Sequence, residues 1–134
     1  INMANAELRL QNVDEPCGAK PYDIVMSHSV FQYFKSLEFA GIVCLNMLQK
    51  SSRKVAILDV PNMQLQKESE CARSVVQIGN GEKKSQNNVQ HLYYEKRWFE
   101  QISKKAKVDI EIIDQAVDGY INSKYRFNVI MTKP

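Results

Sequence analysis

The sequence predicts an α/β fold in which a mostly parallel sheet ends in an antiparallel strand, with helices on both faces. Two apolar runs, at residues 24–26 and 55–60, are typical of strands that are covered on both sides. Residues 36–50 lie between them with apolar side chains at helical spacing, which completes a strand–helix–strand unit. Residues 108–113 and 125–131 alternate apolar and polar side chains, and no helix-length segment separates them, so we expect them to pair antiparallel.

Length and composition fit one globular domain. The 134 residues are 44% hydrophobic and 25% charged, which suits a single domain with one core. The net charge of +3 is too small to indicate nucleic-acid binding by itself. No apolar run reaches the roughly 18 residues of a membrane span. Cys17, Cys44 and Cys71 match neither a disulfide framework nor a zinc site, so we expect a reducing, cytoplasmic location.

The connections between these elements differ in character. Ser36 is the expected N-cap of the first helix. Residues 64–92 are long and polar, and we predict that they form an acceptor lid or a mobile insertion, with room for one helix at 68–76. A second amphipathic helix is predicted for residues 93–107. The loop 114–124 should return to the edge of the sheet at which the first two strands end.

Polar residues stand where the first strand ends. Ser27, His28 and Ser29 follow the apolar run directly, and Asp59 lies near the end of the second strand. Ligands of open α/β sheets bind just beyond the carboxyl ends of the strands, so these residues are the first candidates for a site. A simple turn and helix cap explains Ser27 to Ser29 equally well.

The order of elements and two of the segments resemble the second half of a class I S-adenosylmethionine-dependent methyltransferase. Residues 22–34, Y-D-I-V-M-S-H-S-V-F-Q-Y-F, are similar to the fourth motif of that family, and residues 54–62, K-V-A-I-L-D-V-P-N, are similar to its next strand. The reversed last strand resembles the ending of the family's Rossmann-like sheet. The glycine-rich first motif of the family is absent from the sequence. The resemblance therefore implies that residues 1–134 are the C-terminal part of one methyltransferase domain, with the N-terminal part missing.

The resemblance also implies S-adenosyl-L-methionine as cofactor, a small-molecule acceptor and no metal. The residues that would contact the cofactor are Asn5, Ala6, Ser27, His28 and Ser29. His28 would also be the catalytic base that accepts a proton from the acceptor, because its unperturbed pKa of roughly 6.5 suits that task. His28 as a packing residue and Asn5 as a turn residue remain open. The residues that would orient the acceptor are Asp59, Asn62, Tyr94, Tyr120 and Asn122.

Two other functions remain open. The first is that the chain is a non-catalytic half-domain or interaction module without a cofactor site. It would then pair with the missing N-terminal half, or with a second copy, through the open sheet edge at residues 22–26. In the second case, which is less favoured, the lysine-rich helix at 93–107 binds RNA, although a solvated helix face explains those lysines as well. His91 is expected to be exposed, and no membrane partner is expected.

Overall fold

The structure, a computed structural model, describes residues 21–79 and 90–134, except for the side chains of residues 76–79. A four-stranded sheet of order β1-β2-β4-β3 forms within these ranges. Its strands are β1 (Tyr22–His28), β2 (Ser51–Pro61), β3 (Asp109–Asp114) and β4 (Arg126–Thr132). β1 and β2 are parallel, whereas β4 is antiparallel to both of its neighbours. The predicted α/β fold with a reversed last strand is therefore confirmed. No helix in the described ranges is long and apolar enough to cross a membrane.

Helix α1 (Leu37–Lys50) connects β1 to β2, as the sequence predicts. Ser36 is its N-cap, because the Ser36 hydroxyl accepts a hydrogen bond from the Phe39 N–H at 3.2 Å. The inner face of α1 packs on the sheet and includes Cys44, which is completely buried. Burial raises the pKa of the Cys44 thiol to about 12, so this cysteine is an unreactive packing residue.

Helices α2 (Gln66–Gly79) and α3 (Lys96–Ala106) lie between β2 and β3. α2 contains the predicted helix at 68–76 and extends beyond it at both ends. α3 begins at Lys96 rather than at residue 93, because Tyr94 is held in an extended conformation. Its N–H donates to the Pro61 carbonyl, and its carbonyl accepts from the Met63 N–H, both at 2.9 Å. The lid role of residues 64–92 stays a prediction, and residues 80–89 lie outside the described ranges.

Aromatic side chains in the core connect the turn after β1 with α3 and β4. The Phe31 ring, just after β1, lies 5.8 Å from the Tyr94 ring, measured between centroids. Phe99 of α3 lies 5.6 Å from Tyr94 and 5.9 Å from Phe127 of β4. These four residues are buried almost completely. The turn after β1, the start of α3 and the last strand are therefore packed as one unit.

Strand β1 is at one edge of the sheet that the described residues form. β2 is its only partner strand within these residues. Val25 is half-buried, but Ile24 is 60% exposed and Met26 is 65% exposed. The apolar run predicted a strand covered on both faces, whereas the described residues cover only one. This open apolar face lies beside the candidate site.

Candidate functional site

The carboxyl ends of β1 and β2 are joined by a hydrogen bond between two side chains. Ser29 follows β1 and donates its hydroxyl proton to Asp59 Oδ2 at 2.7 Å. Both residues have a left-handed backbone, with φ of 56° at Ser29 and 63° at Asp59. Asp59 stands where the register between β2 and β4 shifts, between Ile57 and Val60. A left-handed backbone is uncommon for serine, so its presence here indicates a constrained turn at the strand end.

Asp59 is a buried residue at the centre of a hydrogen-bond network. Its carboxylate also accepts from Tyr120 Oη at 3.1 Å and from Gln115 Nε2 at 3.3 Å, and the residue is only 1% exposed. Arg126 Nε lies 4.0 Å from Asp59 Oδ1, and Arg126 Nη1 donates to the Asp59 carbonyl at 3.4 Å. The Asp59 N–H donates to Asn128 Oδ1 at 2.9 Å. The loop 114–124 therefore reaches the carboxyl edge, as predicted, and Asp59 orients the side chains around it.

His28 is the exposed end of the same network. Its Nδ1 lies 3.2 Å from Ser29 Oγ. The single hydroxyl proton of Ser29 is directed to Asp59, so Ser29 Oγ accepts at this contact and His28 Nδ1 donates. This arrangement selects the tautomer whose Nε2 has a free lone pair. The chain of Asp59, Ser29 and His28 thus prepares Nε2 to accept a proton from a neighbouring group.

A groove of about 320 Å³ lies between the end of β1 and helix α1. Residues 25–28 form its strand side, and Val43, Met47 and Lys50 are on its helix side. Its lining is mostly apolar, and Ser27 and His28 are among the residues that supply polar atoms, as in small-molecule sites generally. The structure thus places two of the predicted cofactor residues in one groove. Ser29 lies beside them on Asp59.

A second polar cluster, formed by Arg73, His91 and Tyr93, lies next to this edge. Arg73 Nη1 is 2.9 Å from His91 Nδ1, and Arg73 Nη2 donates to Tyr93 Oη at 3.0 Å. The Tyr33 ring packs edge-on against His91 at 5.4 Å between centroids. Burial lowers the pKa of His91 to about 4, with further contributions from the charges of Arg73 and Arg126. The structure makes His91 half-buried, and not exposed as predicted, because Arg73 and Tyr33 pack against it.

Asn62 and Tyr94, which the sequence analysis expects to orient an acceptor, make hydrogen bonds within the fold. Asn62 is buried, and its Oδ1 accepts from the Gln64 N–H at 3.1 Å, which caps a short 3-10 helix. Tyr94 is completely buried, and its hydroxyl donates to the Phe31 carbonyl at 2.8 Å. Burial raises the pKa of Tyr94 above its usual value. Both residues stabilise the loops around the site.

The other predicted residues fall into two groups. Tyr120 and Asn122 lie in the loop after β3, and Tyr120 contacts Asp59 directly. Burial, followed by the charge of Asp59, raises the pKa of Tyr120. Tyr120 thus joins Asp59 at the edge of the sheet where the first two strands end. Asn5 and Ala6 lie outside the described residues.

Sequence reasoning missed Gln115 and Arg126, which contact Asp59, and Arg73, which belongs to the second cluster. Arg73 is in a polar helix without a clear apolar stripe, and its partners lie 18 and 20 residues further along the chain. Gln115 and Arg126 reach Asp59 across 56 and 67 residues. No local spacing predicts such contacts. The position of Arg126 at the start of an alternating strand was the one available signal.

Comparison with known proteins gives a match in structure only. The sequence matches no family model and no curated protein. Magnesium protoporphyrin IX methyltransferase (ChlM) from Synechocystis PCC 6803, solved with bound SAH, matches with a TM-score of 0.61 at 12% identity. The match covers 92% of this chain and 49% of ChlM. The small RNA methyltransferase HEN1 matches with a TM-score of 0.59 at 12% identity, over 92% of this chain and 15% of HEN1.

The chain has the class I methyltransferase fold. The sheet of order β1-β2-β4-β3, in which β4 is antiparallel to both neighbours, is the part of this fold that the described residues form. The complex of LepI with SAM also matches, with a TM-score of 0.51 at 14% identity, over 91% of this chain and 28% of LepI. The chain therefore spans about half the length, or less, of the solved proteins that it matches.

Proposed function

We propose that this chain is the C-terminal part of an enzyme that transfers a methyl group from S-adenosylmethionine to a small-molecule acceptor. The observation that carries the proposal is the position of Ser27 and His28 in a groove at the carboxyl end of β1, on a class I methyltransferase fold. The ChlM and LepI structures with bound SAH and SAM support the cofactor. Magnesium protoporphyrin IX, the compound in the name of ChlM, supports a small-molecule acceptor.

The described residues fit one wall of a cofactor site. The apolar lining of the groove suits the carbon skeleton of a nucleoside or amino acid, and its polar residues offer donors and acceptors. Ser27, His28 and Ser29 would border the sulfonium end of the cofactor, and Asn5 and Ala6 would contact its adenine. S-adenosylmethionine supplies, when bound, a methyl group on positively charged sulfur. Positioning an acceptor against such a group is the larger part of this kind of catalysis.

His28 is the proposed general base. The hydrogen bond from Nδ1 to Ser29 leaves Nε2 free to accept the proton of an acceptor hydroxyl or amine. The Asp59 carboxylate would stabilise the imidazolium that results, acting through Ser29 Oγ. General bases typically contribute roughly a hundredfold to ten-thousandfold in rate. Loss of the imidazole should therefore reduce turnover much more than cofactor affinity.

Strand β1 needs a further partner in this proposal. The exposed Ile24 and Met26 side chains form an apolar face at a sheet edge, and such edges pair with other strands unless they are covered. We assign this edge to the upstream half of the same domain. A second copy of the chain would replace that half where it is absent.

RNA is the second candidate acceptor, because HEN1 is described as a small RNA methyltransferase. Two of the basic residues of α3, Lys96 and Arg97 at its start, are already paired with Asp114 and Glu95. The other two, Lys104 and Lys105, are in its last turn, just before β3 starts. The loop that follows β3 returns to Asp59, so these lysines lie towards the opposite edge of the sheet from His28. That separation favours a small-molecule acceptor over RNA.

Calorimetric titration with S-adenosylhomocysteine tests the cofactor. The chain extended upstream through its encoded residues should bind with a Kd on the order of micromolar, about 8 kcal/mol of binding free energy. The 134-residue chain alone should bind more weakly, since it supplies one wall. Absence of binding by the extended chain would overturn the proposal and favour a non-catalytic half-domain. RNA affinity that falls steeply with salt would instead favour the RNA alternative.

A matched pair of serine variants tests the orientation of His28. Ser29→Ala removes the acceptor of His28 Nδ1, so nitrogen NMR of the imidazole should show a mixture of tautomers. Ser52→Ala is the control, because Ser52 donates to the Tyr22 carbonyl at 3.3 Å, at the opposite end of the same strand pair. It should leave the His28 tautomer unchanged. An identical His28 spectrum in both variants would remove Ser29 from the proposed mechanism.

A further inference from the structure

Arg73 is a cation that the described residues do not neutralise. Its guanidinium has five N–H donors, and the contacts in the structure use two of them, towards His91 Nδ1 and Tyr93 Oη. Both of these acceptors are uncharged, because the lowered pKa keeps His91 neutral at pH 7. Arg73 Nε is buried and has no hydrogen-bond partner among the described residues. Arg73 as a whole is half-buried, and a guanidinium that is partly removed from water is stabilised by an anionic partner.

Arg126 is a second guanidinium whose charge acts on His91. It is 4% exposed, and its Nε also lacks a hydrogen-bond partner in the described part of the chain. Asp59 is the carboxylate that faces Arg126, at 4.0 Å, and it is already occupied by Ser29, Tyr120 and Gln115. The pKa of His91 is lowered by both arginines and raised by Asp59, so all three charges act on one ring. Two cations and one carboxylate therefore act on His91, which leaves one positive charge without a counter-charge among the described residues.

We propose that Arg73 and His91 bind a carboxylate group of the acceptor. A monoanion balances the one uncompensated charge, whereas a phosphate dianion exceeds it. The two oxygens of a carboxylate also match the planar fork of a guanidinium. His91 contributes a second donor, because its Nδ1 accepts from Arg73 and its proton is therefore on Nε2. This inference rests on the proposed function, since it names the acceptor class of the same site.

The position of the cluster relative to β1 suits this role. The short 3-10 helix Phe31–Tyr33 begins three residues after His28 and carries Tyr33, which packs against His91. The Leu92 N–H donates to the Gln32 carbonyl at 2.9 Å, so the segment with His91 is tied to the same turn. Tyr33 is 60% exposed and offers an aromatic surface beside the cluster. An acceptor held by its carboxylate would thus lie over Tyr33, on the side of the fold where β1 ends.

Binding of sodium benzoate at pH 7 and constant ionic strength tests the inference on the 134-residue chain. Benzamide is the neutral control of the same shape, and inorganic phosphate is the competing anion. The chain has only two histidines, so the imidazole NMR signals of His91 are readily assigned. Benzoate should bind and raise the pKa of His91 from about 4, because a nearby anion favours the imidazolium. Benzamide should do neither.

Arginine variants locate the site. Arg73→Gln should weaken benzoate binding at least tenfold, and Arg73→Lys should weaken it less because the charge is kept. Arg97→Gln is the matched control, since Arg97 is 73% exposed on α3 and pairs with Glu95. It should bind benzoate as the unchanged chain does. If Arg73→Gln fails to fold, the benzoate affinities of Arg73→Lys and Arg97→Gln are compared instead. The inference then requires weaker binding by Arg73→Lys than by Arg97→Gln.

Several outcomes would overturn the inference. These are equal binding of benzamide, equal losses in the Arg73 and Arg97 variants, or phosphate that binds more tightly than benzoate through Arg73. Benzoate binding does not depend on the cofactor, so the two proposals can fail separately. Arg73-dependent benzoate binding without S-adenosylhomocysteine binding to the extended chain would refute methyl transfer alone. The opposite result would refute the carboxylate site alone.

Discussion

Replacing Asp59 with asparagine should destabilise the fold by about 3 kcal/mol. Asparagine occupies the same volume and tolerates the left-handed backbone of Asp59, whose φ is 63°, so the change removes charge with little backbone strain. The hydroxyls of Ser29 and Tyr120 can rotate to accept from the new amide, so most hydrogen bonds around residue 59 can be kept. Arg126, which is 4% exposed, is left without its carboxylate.

The expected magnitude follows from that buried charge. Removing one partner of a buried ion pair lowers the free energy of unfolding by roughly 3–5 kcal/mol, because the other charge stays desolvated. The low end applies here, because Arg126 Nε and Asp59 Oδ1 are 4.0 Å apart and Arg126 also donates to the Asp59 carbonyl. Replacing Arg126 by methionine in the Asp59→Asn background should recover part of the loss, since no buried charge then remains.

Urea unfolding followed by the fluorescence of Trp98 measures the effect, since the chain has one tryptophan. Asp114→Asn is the matched control, because Asp114 is 72% exposed and its ion pair with Lys96 should be worth less than about 1 kcal/mol. An Asp59→Asn midpoint within error of the Asp114→Asn midpoint would refute the assignment of Asp59 as the centre of a buried charge network.

Three further predictions follow. The pKa of His91 is about 4 in the folded chain and 6.5 as the unperturbed value, so the unfolded state binds more protons between these values. Lowering the pH from 7 to 5 should therefore reduce the free energy of unfolding, by about 1 kcal/mol after allowance for partial exposure, and His91→Gln should remove this pH dependence. Tyr94→Phe leaves the buried Phe31 carbonyl without its 2.8 Å hydrogen bond and should cost about 1–3 kcal/mol in urea unfolding, whereas Tyr22→Phe, at an exposed ring, should cost almost nothing. Sedimentation should show self-association of the chain at micromolar concentration, and Ile24→Lys should reduce it; a wild-type monomer would contradict the open-edge interpretation.

The order of the elements could be predicted because each element has a local signal. The Ser36 cap, the apolar spacing of α1 and the alternation in β3 and β4 are properties of neighbouring residues. The antiparallel pairing of the last two strands could be predicted from the length of the loop between them, because that loop is too short for a parallel crossover connection. Such signals also placed Ser27 to Ser29 and the loop 114–124 at the same edge of the sheet.

The details of the site depend on contacts that have no local signal. Tyr94 fits the helical spacing of α3, yet backbone hydrogen bonds to Pro61 and Met63 keep it extended and buried. The left-handed backbone of Asp59 depends on a register shift against β4, which no spacing predicts. Arg73 and His91 meet across 18 residues of polar sequence. In each case a tertiary contact outweighs a weak local preference.

The two sides of the candidate site differ in how completely the described residues build them. Around Asp59, the side chains of Tyr120 and Arg126 complete a polar network whose members come from β2, the loop after β3 and β4. At the edge of the sheet, β1 has an open groove and an exposed apolar face. A polar network built from the described residues can hold its geometry by itself, whereas an apolar strand edge requires a partner. Under the proposed function, carboxylate binding should therefore persist in the chain alone, while tight cofactor binding should require the edge of β1 to be covered.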